Sequence, residues 1–318
     1  MSRPAPFAYS LAPEEVGDDG AFHRQESRFR GWVTADRSGE FTAEAGRYHL
    51  YVSRACPWAH RTIIGRWLMG LEPTISISFV DPFRDERGWA FTGGRYEDPV
   101  NGFRFLAEAY EATSTGFNQR LVTVPVLWDC KGGVIVNNES ADILRMLSTT
   151  FAPLAEHPVQ LWPAPLRTQI DALNRRIYDT LNDGVYKAGF AGRQDVYERE
   201  VRAVFAMLDE LDARLKDRRF LFGPEPLETD WRVFTTLVRF DAVYHIHFKC
   251  SIRKITEYKC LWPYLRDLYQ QPGIAQTVDF DEIRAHYYTT HPMVNPTGLV
   301  ALRPAEDLGA PHGREVLG

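Results

Sequence analysis

A chain of 318 residues, 44% hydrophobic and 25% charged, can form one large domain or two ordinary ones. A formal net charge of −5 at pH 7, with no basic run, gives no footprint for nucleic acid or an anionic membrane surface. No apolar stretch approaches the ~18 residues of a membrane span, and the opening MSRPAPFAYSLAPEE has no apolar core of signal length.

The four cysteines, Cys56, Cys130, Cys250 and Cys260, fit neither a zinc pattern nor a dense disulfide framework. The expectation is a soluble cytoplasmic protein with free thiols and no metal. Residues 1–46 are polar, and GAFHRQESRFRGWV sets aromatics among arginines, which predicts an arm packed on the body. RYHLYVS alternates as a strand, residues 58–71 predict a helix, and ISISFVD predicts a second strand. A polar insert occupies 82–121. VTVPVLWD and GVIVNN then predict two short strands around the turn DCKGG. ESADILRML predicts a helix, with Ile143, Leu144 and Leu147 at helical spacing. This order is βαβ, insert, ββα. It requires the first two strands to be parallel, through a right-handed crossover, and the last two antiparallel.

STTFAPLAEHPVQLWPAP is proline-rich and aperiodic, a linker, and strand signals nearly vanish after it. LRTQIDALNRRIYDTL, VYEREVRAVFAMLDELDARL, TDWRVFTTLVRFDAVYH and WPYLRDLYQQ predict amphipathic helices. Thr229 and Asp230 are N-cap candidates for the third, and Pro272-Gly273 stops the fourth. The domain plan is an arm over 1–46, an α/β domain over 47–148, a linker over 149–164 and an all-helical domain with a C-terminal tail over 165–318.

Chemistry concentrates in the α/β part. Cys56 precedes Pro57 where a strand gives way to a helix, and the position three residues on, where dithiol oxidoreductases carry a second cysteine, is Ala59. A thiol at a helix start lies near unpaired N–H groups and the positive end of the helix dipole, which can lower its pKa from ~8.5 into roughly 3.5–7.5. Pro57 suits an early helical position, which needs no N–H donor. The bland alternative is a buried, inert cysteine. Pro125 inside an apparent strand marks an edge, a bulge or a tight turn. A cis Val124–Pro125 bond could turn Val124 outward to pair with a peptide-like ligand, and an ordinary edge proline is the other reading. Glu139 and Ser140 open a helix whose N–H groups and hydroxyl could hold a carboxylate while Glu139 holds an ammonium group; a plain helix cap is the alternative.

Together these motifs resemble glutathione transferases, with a thioredoxin-like α/β N-terminal domain followed by an all-α C-terminal domain. More narrowly, SRACPWAHRT, RDERGWAF, VTVPVLWD, NNESADILRML, NDGVYKAGFA, TDWRVFTTLVRFDAVYHIHFKC and AHYYTTHP resemble the glutathionyl-hydroquinone reductases, or Xi-class glutathione transferases. Ser251 and Ile246 depart from the family pattern. The resemblance implies Cys56 as nucleophile and Trp89, Arg120, Val124, Glu139 and Ser140 as the residues that hold a glutathionyl group. It implies Tyr186, Tyr244 and Tyr287 as the lining for a small aromatic quinol conjugate. Without the resemblance those tyrosines read as core or surface residues, and His245, His247 and His286 read as structural hydrogen-bonders. It also implies a homodimer through the helical domains and glutathione as co-substrate, with mycothiol or another small thiol in its place if the host lacks glutathione. The competing functions are an omega-like monothiol thioltransferase or dehydroascorbate reductase, and a non-catalytic binding module on the same scaffold.

Overall fold

The computed structural model describes residues 15–36, 38–114 and 122–317. Packing divides them into two compact units, one of residues 25–160 and 279–299, the other of residues 15–24, 161–278 and 300–317.

The first unit opens on two short parallel strands, β1 (Val33–Thr34) and β2 (Phe41–Thr42). The main sheet contains β3 (Tyr48–Val52), β4 (Ile75–Phe79), β5 (Val126–Asp129) and β6 (Val134–Asn137), in the order β4-β3-β5-β6. As its connections require, β3 and β4 run parallel, whereas β5 is antiparallel to both β3 and β6. Every residue of β3 is buried, the signature of a central strand covered on both faces.

Helix α1 (Pro57–Leu68) packs against α3 (Ser140–Ser148). It stops earlier than the periodicity suggested because Gly70 takes a left-handed conformation (φ +61°) just after the C-cap. The strand expected across VTVPVLWD begins only at Val126: the Val124–Pro125 bond is cis, and proline has no N–H to give a ladder. The insert contains an unexpected helix, α2 (Ala107–Thr113), which packs on β6. It is organised by the buried carboxylate of Asp98, which accepts from Tyr51 Oη (3.1 Å) and from the backbone N–H groups of Val100, Asn101 and Phe103. The arm lies along the sheet edge, with the Gly31 N–H on the Val136 carbonyl at 2.8 Å and Arg30 paired with Asp142 at 2.6 Å.

The second unit is helical: α4 (Arg167–Ile177), α5 (Gly184–Gly189), α6 (Gln194–Arg214), α7 (Glu228–Arg239) and α8 (Leu261–Gln270). Helix α4 runs into a π turn at Tyr178–Asn182, closed by the Asp183 N–H on the Tyr178 carbonyl (2.8 Å). Helix α7 does the same at Phe240–Tyr244, closed by the His245 N–H on the Phe240 carbonyl (2.8 Å). All of α7 is buried. Its N-cap is Leu227, not Thr229 or Asp230. Asp230 sits in the first turn and bonds back, accepting the Leu227 N–H (2.9 Å), the Leu221 N–H (2.9 Å) and Tyr264 Oη–H (2.8 Å). The tail returns to this unit: buried Arg314 donates to the carbonyls of Leu215 (3.2 Å) and Arg219 (2.8 Å), just past the end of α6.

The last helix, α9 (Phe280–Thr290), was expected within the helical half. Residues 279–299 instead group with the first unit.

Two histidines tie stability to pH. Burial pushes the pKa of His49, on β3, and of His247 down to about 4, so the native state keeps both rings neutral. The unfolded chain protonates them near ~6.5. Below that pH it binds more protons than the native state, so stability falls as pH drops from ~6.5 towards about 4. Each ring should contribute a loss of about 2 kcal/mol by about pH 5. Urea denaturation of the parent and of His49→Gln at about pH 7 and about pH 5 should show a smaller drop in the variant. The comparison isolates His49, because burial also raises Asp230 to about 6 and that carboxyl titrates with the opposite sign. Equal drops in both proteins would contradict a neutral, buried His49.

Candidate active site: a thiol turn and an aromatic cluster

The first unit presents a lone thiol. Cys56 is the N-cap of α1, in extended backbone (φ −78°, ψ 122°), with Pro57 as the first helical residue. The turn is held by Ser53, whose carbonyl accepts the Cys56 N–H (3.3 Å) and whose Oγ accepts the Ala55 N–H (3.2 Å). The half-buried sulfur donates to the Val124 carbonyl at 3.6 Å. Cys56 and Val124, 68 positions apart, are thus brought into contact where β5 has not yet begun.

Glu139 is the N-cap of α3. Its carboxylate accepts from the Ala141 N–H (3.1 Å) and from Ser27 Oγ (2.9 Å). The plain cap reading therefore holds, and the same carboxylate supplies negative charge beside Ser140. The Ser140 hydroxyl accepts from Arg61 at 3.4 Å, and the buried Arg61 guanidinium lies over the Trp58 ring (4.5 Å). A helix N-terminus, a hydroxyl and a guanidinium suit a carboxylate, whereas Glu139 suits an ammonium group. An amino-acid head carries both.

Trp89 is buried and stacks on His286 of α9 (4.9 Å between ring centres, 21° between planes). His286 Nδ1 lies 2.7 Å from the Pro82 carbonyl. A carbonyl can only accept, so Nδ1 carries the proton and Nε2 of the neutral ring is the basic nitrogen. Tyr287, also buried, meets His286 (5.4 Å) and His291 (5.7 Å) edge-on. Helix α9 is fastened through Glu282, whose Oε1 accepts from Arg54 (3.2 Å), Tyr96 Oη (3.1 Å) and Arg95. Arg54 lies two residues before Cys56, so one carboxylate ties the thiol turn to the helix that bears Tyr287.

The second unit holds an aromatic cluster of its own. Tyr186 on α5 and Tyr244 at the end of the second π turn lie with ring centres 6.0 Å apart. Phe248 stacks on Tyr244 (5.6 Å, 14°) and meets Tyr186 edge-on (5.3 Å). Gly189 makes room for this: a Cβ there would fall 2.3 Å from the Phe248 ring. Arg24 lies over the Tyr186 ring at 4.6 Å and pairs with Asp183. The departures from the family pattern, Ile246 and Ser251, are both exposed.

Of the residues singled out from the sequence, Cys56 meets Val124, Glu139 meets Ser140, Trp89 connects to Tyr287 through His286, and Tyr186 meets Tyr244. Tyr287 belongs to the other unit from the remaining two tyrosines. Arg120 lies outside the described residues. Arg61, Ser27, Glu282 and Arg24 were not anticipated. Only the mixture of aromatics and arginines around Arg24 hinted at a packed cation.

The four thiols should differ sharply in reactivity. Burial raises Cys130, with Asp129 adding to the effect; burial also raises Cys260, with Asp212 adding; and burial alone pushes Cys250 up. Cys260 caps α8, yet burial and Asp212 hold its thiol up, whereas Cys56 caps α1 directly before Pro57. Iodoacetamide near neutral pH, followed by peptide mass spectrometry, should label Cys56 faster than the others by at least ~10-fold. Similar rates at Cys56 and exposed Cys130 would remove the basis for an activated thiol.

Comparison with known proteins gives a consistent picture. A glutathione S-transferase N-terminal domain matches residues 55–150, and a glutathione S-transferase C-terminal domain matches residues 194–267. Glutathionyl-hydroquinone reductase YqjG of Escherichia coli (strain K12) is 50% identical over 306 residues, which cover 93% of this chain and 93% of that protein. Its glutathione-bound structure superposes with a TM-score of 0.87 at 50% identity, covering 91% of this chain and 96% of the other. Glutathionyl-hydroquinone reductase PcpF of Sphingobium chlorophenolicum is 44% identical over 291 residues, covering 91% of each chain. A Xi-class glutathione transferase from Natrialba magadii superposes with a TM-score of 0.92 at 50% identity, covering 97% of this chain and 95% of the other.

Proposed function

The chain belongs to the glutathionyl-hydroquinone reductases, the Xi-class glutathione transferases, and on that premise we propose that it reduces S-glutathionyl-hydroquinones to hydroquinones with glutathione as the reductant. The observation that carries this reading is the lone Cys56 thiol at the start of α1, with Ala59 where a resolving cysteine would stand. A monothiol cannot close an internal disulfide with a neighbour one turn away. It attacks an outside sulfur and is released by an outside thiol.

In the first half-reaction the Cys56 thiolate attacks the glutathione sulfur of the conjugate. Before the sulfur–aryl bond breaks, the ring carbon that bears sulfur takes up a proton while the adjacent hydroxyl gives one up and becomes carbonyl-like. As the bond breaks, its electron pair restores the aromatic ring and the oxygen takes a proton back. Hydroquinone leaves, and Cys56 remains in a mixed disulfide with glutathione. In the second half-reaction a glutathione thiolate attacks that disulfide, releasing glutathione disulfide and the Cys56 thiolate. The sequence is ping-pong covalent catalysis.

Trp89, Arg120, Val124, Glu139 and Ser140 hold the glutathionyl group. Tyr186, Tyr244 and Tyr287 act on the quinol, their hydroxyls donating to a ring oxygen that becomes carbonyl-like as the adjacent carbon is protonated. Removal rather than addition of glutathione follows from the nucleophile: a serine or tyrosine in this place would activate the glutathione thiolate for conjugation. The reading extends, on family grounds alone, to a homodimer in the cytoplasm.

Cys56→Ala should abolish turnover of glutathionyl-menadiol, while Ala at Cys130, Cys250 or Cys260 should be tolerated. Intact mass spectrometry after substrate, with no added thiol, should find one glutathione adduct on Cys56. An internal disulfide to another cysteine would sink the monothiol scheme. Running the assay with glutathione against mycothiol identifies the reductant.

Tyr→Phe at 186, 244 or 287 should lower kcat for the glutathionyl quinol by ~10-fold to ~10³-fold, the range for loss of a single transition-state donor. The same variants should keep their activity on hydroxyethyl disulfide. Equal losses on both substrates would assign the tyrosines to the fold or the thiol site. Parental turnover of the disulfide with none of the quinol conjugate, in the unmodified protein, would assign an omega-like thioltransferase instead.

A further inference from the structure

The chemistry above makes no use of Arg24, a residue of the arm that belongs to the helical unit. Its guanidinium is packed between two rings, with Cζ 4.6 Å from the centre of Tyr186 and 5.1 Å from the centre of Phe22. Phe22 in turn packs on Phe190 (5.4 Å), a member of the Tyr186 cluster (6.1 Å). Nε donates to the carboxylate of Asp183, whose side chain is 4% exposed. Asp183 is also the N-cap of α5, and its carbonyl accepts the N–H groups of Tyr186 and Lys187, each at 2.9 Å. One residue thus begins the helix that carries Tyr186 and anchors the cation lying on that ring.

A cation over an aromatic face is attracted by the electron density of the ring. When the phenol donates its proton more fully to an acceptor, negative charge grows on its oxygen and spreads into the ring. The attraction to Arg24 grows with it. An interaction that strengthens along the reaction coordinate lowers the barrier and leaves ground-state binding nearly unchanged.

We propose that Arg24 is a positioning residue for the quinol half of the reaction, acting through Tyr186. It holds the ring in place and stabilises the charge that Tyr186 gains as the quinol oxygen turns carbonyl-like. The inference rests on the proposed role of Tyr186 as a donor to the quinol.

The test is a double-mutant cycle of the parent, Arg24→Met, Tyr186→Phe and the combined variant, with kcat and KM for glutathionyl-menadiol measured separately. Arg24→Met should lower kcat by about 3-fold to about 30-fold, the factor that corresponds to a cation on an aromatic face, and leave KM near the parental value. In the Tyr186→Phe background the same substitution should cost nothing further. Arg24→Lys, which keeps the charge but not the planar stack, should recover part of the loss.

Because Met would leave Asp183 without its cation, circular dichroism of Arg24→Met comes first. If that protein is unfolded, Arg24→Met with Asp183→Asn takes its place in the cycle. Independent, multiplying losses in the combined variant would overturn the inference and leave the reading of Tyr186 standing. Undiminished kcat in Tyr186→Phe alone would overturn that reading, and the inference with it. An equal loss of hydroxyethyl disulfide reduction in the Arg24 variant would mark a purely structural residue and also overturn the inference.

Discussion

A sulfur held 3.6 Å from a backbone carbonyl, at the N-cap of a helix, is the contact on which the thiol turn depends. Two opposed influences meet there. The start of α1, with its unpaired N–H groups, favours negative charge on sulfur, whereas the Val124 carbonyl directs its own partial negative charge at the same atom and favours the protonated thiol. The balance depends on both partners being held in place. Burial of every residue of β3 fixes the strand that leads into Cys56. Pro57 sets the direction of the helix that leaves it, and Pro125 ends the run that brings Val124 alongside before β5 takes up its ladder. At the start of α3 the Ser140 hydroxyl meets charges of both signs, the Arg61 guanidinium and the Glu139 carboxylate.

What was legible in the sequence was what local chemistry decides. The four strands of the main sheet follow from short apolar runs bounded by turn residues, the helices from 3.6-residue spacing, and the helix start at Cys56 from a single proline. The strand directions followed from connection rules before any register was known. Misses fell where tertiary context overrides local preference. Helix α2, seven residues long, carries too few turns for its period to stand out. The first turn of α7 was misplaced because Asp230, a good N-cap residue, works here as the residue that bonds back to the cap.

The candidate site was only half legible for a related reason. Its cysteine, proline, glutamate and serine announce themselves in short motifs. The ion pairs that fasten it do not: Arg54 to Glu282, Arg30 to Asp142 and Arg24 to Asp183 each join residues more than a hundred positions apart. Nothing in an arginine's immediate neighbourhood names a carboxylate that distant. These pairs are also why the short arm and the returning segment 279–299 belong to the body: each brings a charge that finds its counterpart on an element already in place.

The two π turns of the helical unit bear on how such a cluster could arise. A π turn is an α-helix that accommodates one additional residue, and each residue of an α-helix advances the side chains by about 100° around the axis. In the turn at Phe240–Tyr244 the additional residue rotates the side chains of its end, so Tyr244 faces Tyr186 instead of pointing where an uninterrupted α7 would send it. A change of one residue in the length of this turn would thus exchange one set of side chains for another past the end of α7 and leave the buried helix before it as it is.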